Sequence, residues 1–173
     1  MVGQPIPTLE TERFLMRAPE ARDFDAYATF LGSPRSVGVG GPRSRDEAFH
    51  KFCALSGHWP MRGFGRWIVA DKTDDIALGI VGLMYPEDWP EPEIAWSVFE
   101  GVEGKGVAYE AAIRARQYAY ETLGWSRVIS CTVPDNTRSI ALAKRMGAVR
   151  EGDFQHPNYG TLFVWRHLSP LEL

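Results

Sequence analysis

Three glycines, Gly101, Gly104 and Gly106, fall within six positions between two stretches of different period. Residues 93–99 before them are rich in aromatic and β-branched types, as a strand would be, and after them Ala108, Ala111, Ala112, Ala115, Tyr118, Ala119 and Leu123 recur at helical spacing. A strand that turns through glycines into a helix leaves the first helical N–H groups unpaired and aimed at one point, where the helix dipole is positive. That is an anion site, and phosphate is its usual guest. Gly104-Lys105-Gly106 taken alone would equally make a tight turn without chemistry. It is not a P-loop, because Lys105 is followed by glycine and not by Ser or Thr. It also lacks the acidic strand end that a dinucleotide fold places about 20 residues on, since Glu121 falls inside the helical pattern.

Two other constellations carry chemistry. Asn136 and Ser139 stand where a helix would take its N-cap and a polar third residue. The segment Tyr85–Glu93 gathers Glu87, Asp88, Glu91 and Glu93 around Trp89. Asp88, Trp89 and Glu91 are candidate contacts for a cationic amine, whose on-rate such a field would raise; a solvated hairpin connection is the alternative. His156, with Tyr159 close by, could reach a substrate mouth, whereas His50, His58 and His167 share no metal spacing. Cys53 and Cys131 have no metal spacing either, and each reads as a buried thiol.

The elements that must position these residues follow in order. Residues 9–17 read as a first strand, stopped by Pro19, and Asp23 opens a short helix with Phe24, Tyr27, Ala28 and Leu31 on one face. Residues 32–43, dense in glycine and proline, read as a surface loop that could flank a substrate site. Ser44 or Asp46 can cap a second helix that sends Ala48, Phe49, Phe52, Cys53 and Leu55 to the core. A hairpin of strands at 66–71 and 76–85 precedes the 93–99 strand. The long helix runs to Gly124, a strand spans 127–133, and a helix from Thr137 to Met146 ends at Gly147 in a left-handed cap. Strands near 148–154 and 161–168 close a mixed α/β domain of about seven strands and about four helices around one sheet.

The 173 residues suit a single domain (1–173), 45% hydrophobic and 24% charged, as in an ordinary globular protein. A net charge of -3 provides no basic field for nucleic acid. No apolar run reaches membrane-spanning length, and Met1–Glu10 lacks a signal-peptide layout, so a cytoplasmic location without a membrane partner is expected.

Taken together, Leu9-Glu-Thr-Glu-Arg13, Ile80-Val-Gly-Leu83, Glu93-Ile-Ala-Trp96, Gly104-Lys-Gly-Val-Ala-Tyr-Glu-Ala111, Asn136-Thr-Arg-Ser139 and Lys144-Arg-Met-Gly147 resemble the GNAT N-acetyltransferases in order and spacing. Within them the chain is similar to the branch that acetylates ribosomal-protein N-termini. The resemblance implies the GNAT fold, with acetyl-CoA as co-substrate and no metal. It implies a cofactor clamp from Val98, Phe99, Glu103, Gly104, Lys105, Gly106, Val107 and Ala108 on one side and Asn136 and Ser139 on the other. Asn136 would bond the pantetheine arm. Glu93, sharing a strand face with Ala95 and Ser97, would be the general base, or else a surface carboxylate; Ser139 would return a proton to the leaving thiolate. A backbone N–H near Ser97–Phe99 would serve the oxyanion. The acceptor would be a primary amine, on a protein N-terminus, an aminoglycoside-like polycation or a polyamine, acetylated directly in a ternary complex; a homodimer is the assembly to test. A non-catalytic acyl-CoA binding module is the competing reading. Gly101 stands where the family often has Arg or Gln, and Glu103 sets a carboxylate beside the expected pyrophosphate, which weakens the attraction.

Overall fold

A computed structural model describes residues 5–173. One eight-stranded sheet runs in the order β1-β2-β3-β4-β5-β6-β8-β7. The strands are β1 (Leu9–Glu10), β2 (Phe14–Arg17), β3 (Arg66–Asp71), β4 (Ala77–Met84), β5 (Glu93–Val98), β6 (Ile129–Thr132), β7 (Val149–His156) and β8 (Gly160–Arg166). Four α-helices accompany them: α1 (Phe24–Leu31), α2 (Arg45–Arg62), α3 (Val107–Glu121) and α4 (Thr137–Arg145). Every neighbouring pair is antiparallel except β5 and β6.

The strand count exceeds the expectation because residues 9–17 fold back on themselves. The Thr11 hydroxyl accepts the Phe14 N–H at 2.9 Å, and the Thr11 N–H donates to the Phe14 carbonyl. This side-chain-supported turn pairs Leu9 with Met16 and makes a hairpin of what reads as one strand.

Alternation along the strands divides the core. On one face Val69, Val81, Leu83 and Ile94 meet Ala111, Ala112, Ala115 and Ala119 of α3, whose small side chains allow close approach. On the other, Ile68, Ala70 and Ile80 pack beneath Tyr27 and Leu31 of α1 and Phe52 and Leu55 of α2. Phe49 and Cys53 do not join this core. The buried stripe of α2 is Ala48, Phe52, Leu55 and Trp59, and the next residue round the helix faces solvent, leaving Phe49 51% exposed and the Cys53 thiol accessible.

Helix ends follow the sequence closely. Ser44 and Glu47 cap α2 reciprocally, Asn136 Oδ1 accepts the Ser139 N–H at 3.2 Å to start α4, and Gly147 is left-handed at its end. Residues 32–43 are more ordered than a surface loop. Pro34–Val39 form a 3-10 turn anchored by a fully buried Ser36, whose hydroxyl donates to the carbonyls of Leu31 and Ser33. No helix among the described residues is long and apolar enough to cross a membrane.

Candidate active site

The site begins where the sheet splits. β5 and β6 share one ladder position, Glu93 opposite Ile129, and then part. At the next step the Cys131 N–H donates to Glu93 Oε2 at 2.7 Å, and the Ile94 carbonyl accepts from Ser130 Oγ at 2.6 Å. Side chains thus take over the hydrogen bonds of a missing rung. Beyond that point one edge of β5 is open. The Phe99 N–H bonds the Leu78 carbonyl on β4, so by strand alternation the Ser97 N–H also turns to β4, while those of Trp96 and Val98 turn to the fork.

The fork opens into two joined clefts. The larger, about 680 Å³, is lined by Val98, Glu103, Gly104, Gly106, Val107, Ala108, Asn136 and Ser139 among others. Gly104 and Gly106 hold left-handed φ values of 71° and 78° at the entrance to α3. The first backbone bond of α3 runs from the Glu110 N–H to the Gly106 carbonyl, so the N–H groups of Val107, Ala108 and Tyr109 have no partner within the helix. Arg13 braces this turn from outside, donating through Nη1 to the Lys105 carbonyl at 2.9 Å and through Nε to Glu110 at 2.7 Å. Arg35, from the 3-10 turn, donates to the Val98 carbonyl at 3.0 Å and pairs with Glu103 at 2.6 Å. Its Nε and Nη1 groups are buried with no partner among the described residues. Unpartnered cationic N–H groups beside free helix N–H groups suit a diphosphate, which is the group acetyl-CoA would bring. The Glu103 carboxylate is held below its ordinary pKa by its own backbone N–H and by Arg35. It therefore stays ionised, and it is the pairing with Arg35 that offsets its opposition to a pyrophosphate.

The smaller cleft, about 440 Å³, lies over the α1/α2 face of the sheet and meets the first at Trp96, Ser97, Asn136 and Ser139. The Trp96 indole N–H donates to Ser139 Oγ at 3.1 Å, which leaves the serine proton free to point elsewhere. Glu93 forms part of this cleft and is only 4% exposed. Burial pushes its carboxyl up to about 7, against the opposing pull of the Cys131 N–H and the Arg66 charge. Cys131 also lines this cleft, but burial and the neighbouring Glu93 raise its thiol pKa strongly, so it stays protonated. His156 Nε2 donates to Asp88 at 2.8 Å, and its Nδ1 accepts from the backbone of Asn158 and Tyr159. Gly38 and Gly40 bring the 3-10 turn against this junction: a Cβ at Gly38 would collide with the Asn136 amide and one at Gly40 with the Tyr159 ring.

Several expected site residues lie elsewhere. Phe99 turns with its N–H toward β4 and packs on Phe30 in the core, 5.8 Å between ring centroids. The Lys105 side chain is exposed outside the cleft, and only its carbonyl is engaged. Glu91 is outside the smaller cleft, held by two bonds from Arg166 at 2.7 and 2.9 Å and by Arg127 at 3.2 Å. Asp88 and Trp89 do line the cleft, but the acidic loop offers no free field. Glu87 pairs with Arg62, Asp88 with His156, Glu91 with Arg166, and Glu93 with the Cys131 N–H. His58 accepts the Tyr85 N–H and donates to the Phe64 carbonyl; His167 is buried against Ser130 with its pKa pushed down to about 3. Both are structural. No cluster of three His, Cys, Asp or Glu residues placed to hold a metal occurs among the described residues. The residues that sequence reasoning passed over are Arg35, Arg66, Trp96, Arg138 and Arg145, all lining one cleft or the other.

Comparison with known proteins agrees with this geometry. A family model described as an acetyltransferase (GNAT) domain matches residues 13–149. The sequence is 25% identical over 149 residues to an uncharacterized N-acetyltransferase, p20, of Bacillus licheniformis, covering 84% of each chain. The crystal structure of the acetyltransferase from Agrobacterium tumefaciens str. C58 superposes with a TM-score of 0.87 at 34% identity, over 97% of this chain and 98% of that one. A putative ribosomal-protein-serine acetyltransferase from Vibrio cholerae superposes at 0.81 over 96% and 99% of the two chains, and at 19% identity that likeness is one of fold. With a split sheet, a glycine-turned helix start and a match across most of its length, this chain belongs to the GNAT family of acetyltransferases.

Proposed function

We propose that the chain transfers an acetyl group directly to a primary amine, with the two substrates held side by side in the joined clefts. The observation that carries this reading is the position of Glu93: a buried carboxyl with a pKa near 7 stands in the smaller cleft, next to the fork where β5 exposes its edge. A base poised near neutrality is matched to taking the proton from an ammonium group.

Acetyl-CoA supplies an activated thioester when bound. The residues to hold it are the helix N–H groups of Val107 and Ala108, with Arg35 toward the diphosphate and Asn136 with the open β5 edge toward the pantetheine arm. Arg138 and Arg145 add positive charge along the same cleft. Glu93, through the oxygen not committed to Cys131, takes the proton from the amine. The Val98 N–H, turned to the fork, donates to the carbonyl oxygen as it gathers charge; a donor of this kind is worth roughly 3 to 4 kcal/mol in the transition state. The freed amine attacks the thioester carbonyl, and as the C–S bond breaks Ser139, oriented by the Trp96 indole, gives its hydroxyl proton to the departing sulfur and regains one, through solvent, as the new amide nitrogen sheds its extra proton.

The protonated Cys131 thiol argues for direct transfer and against an acetyl-cysteine. With labelled acetyl-CoA and no acceptor, no label should stay on denatured protein, and initial-rate plots should intersect. A stoichiometric acetyl-protein that discharges on adding amine would overturn the reading.

A further inference from the structure

We infer that the amine acceptor carries an anionic group, a carboxylate or phosphate type, which Arg66 and Lys51 hold while its amine faces Glu93. This rests on the reading of the smaller cleft as the acceptor site.

Arg66 opens β3 and lies on the same sheet face as Ile68 and Ala70, the face that carries Glu93. Its guanidinium makes no hydrogen bond and no ion pair among the described residues, although it lies within the cleft. Lys51 approaches the same space from α2, half-buried, and it too has no ion-pair partner among the described residues. Burial and then the charges of Arg43 and Arg66 lower the Lys51 pKa, against the pull of Glu47, so Arg66 lies close enough for Lys51 to feel its charge. Two partly buried cations that line one cavity without an ion-pair partner among the described residues form an arrangement that an anion relieves.

The carboxylates that could have served are accounted for. Asp88 accepts from His156, Glu87 and Glu91 pair outside the cleft, and Glu93 has one oxygen on the Cys131 N–H. The Trp89 indole N–H is directed at Glu93, whose ionised form it favours. The uncharged polar groups that line the cleft include Tyr27, Tyr159, Ser97, Asn136, Ser139 and Asn158, and His58, whose two ring nitrogens are already engaged. A polycation would thus meet two fixed positive charges. A compact amine with an anionic end fits them.

The register sets the scale. Arg66 stands opposite Gly82, which stands opposite Ala95, so Arg66 and the Glu93 strand are two strand spacings apart, roughly 10 Å between backbones, part of which the arginine side chain spans. Gly82 and Ala95 put no bulky side chain on that row, and Glu93 lies two residues further along β5, opposite Met84.

The test is a CoA-release assay on the full chain with three acceptor sets: amino acids, aminoalkyl phosphonates, and alkylamines or polyamines without an anion. Amines with an anionic group should be acetylated with kcat/KM at least tenfold above their neutral counterparts, and the first two sets tell carboxylate from phosphonate. In Arg66→Gln and Lys51→Gln, kcat/KM for the anionic amines should fall at least tenfold more than for the neutral ones, mainly through KM, with Arg66→Lys recovering part of the loss. Thermal shifts with acetyl-CoA check that each variant is folded and binds cofactor. If neutral amines or polyamines are preferred, or the variants affect all classes alike, the anionic subsite is wrong while the acetyl-transfer reading stands. If no amine of any class is acetylated, both fall.

Discussion

Glu93→Gln tests the chemistry and the electrostatics together. Gln can still accept the Cys131 N–H through its carbonyl oxygen, so the fork between β5 and β6 keeps its bridging hydrogen bond, but the side chain no longer takes a proton. With the native carboxyl near 7, about a tenth of the enzyme is ionised at pH 6 and about nine-tenths at pH 8. The ratio of wild-type to variant kcat/KM, in which the acceptor's own titration cancels, should therefore rise about tenfold from pH 6 to pH 8. At the plateau it should reach the roughly 10²–10⁴ typical of a positioned base. Stability moves the other way. A carboxyl raised from 4.5 to about 7 binds its proton more tightly in the native than in the unfolded chain, so stability is lost as pH climbs between those values and the loss is complete above 7. That displacement corresponds to roughly 3 kcal/mol, which the uncharged Gln escapes. Thermal melts should place the variant about 6–12 °C above wild type at pH 8 and close to it at pH 4. A variant that retains wild-type kcat/KM at every pH would refute Glu93 as the base. A variant no more stable at pH 8 would refute burial as the cause of its shift.

Three further substitutions address the cofactor side. Arg35→Ala removes the cation paired with Glu103 and leaves that carboxylate facing the cleft; acetyl-CoA should bind about 10–100-fold more weakly by calorimetry, the loss of a charged hydrogen-bonding partner. Gly38→Ala drives a methyl into the Asn136 amide, which its bond to the Ser139 N–H keeps from swinging aside, so the free protein should melt lower and the acetyl-CoA thermal shift should shrink. Ser139→Ala should lower kcat about tenfold or more and leave acetyl-CoA affinity within a few fold; an unchanged kcat under chemistry-limited conditions would assign the leaving-group proton to solvent.

How much of this was legible in the sequence depended on whether a feature is local. The glycine turn into α3, the Asn136 cap and the left-handed Gly147 are properties of a few consecutive residues, and composition exposes them. The face of Glu93 followed from strand alternation alone. The acidic loop shows the limit: its charges are plain in the sequence, but its partners are His156 and Arg166, 68 and 75 positions away. Arg35 and Arg66 were invisible for a related reason. An isolated cation in an irregular turn or at a strand end has no period or motif, and only the fold shows that one pairs with Glu103 and the other faces the smaller cleft without an ion-pair partner among the described residues. Phe49 and Cys53 were misplaced by one step around a helix, a margin that hydrophobicity at single positions does not resolve.

The one-rung junction between β5 and β6 has a consequence for solvent exchange. Along β5 the amides of Ser97 and the following Phe99 are tied to β4, while those of Trp96 and Val98 face the fork. Amide deuteration should therefore alternate residue by residue, fast at 96 and 98 and slow at 97 and 99, within a single continuous strand. The same two amides are the ones a bound ligand could protect, so slowing at both, without change at their neighbours, would report occupancy of the open edge directly.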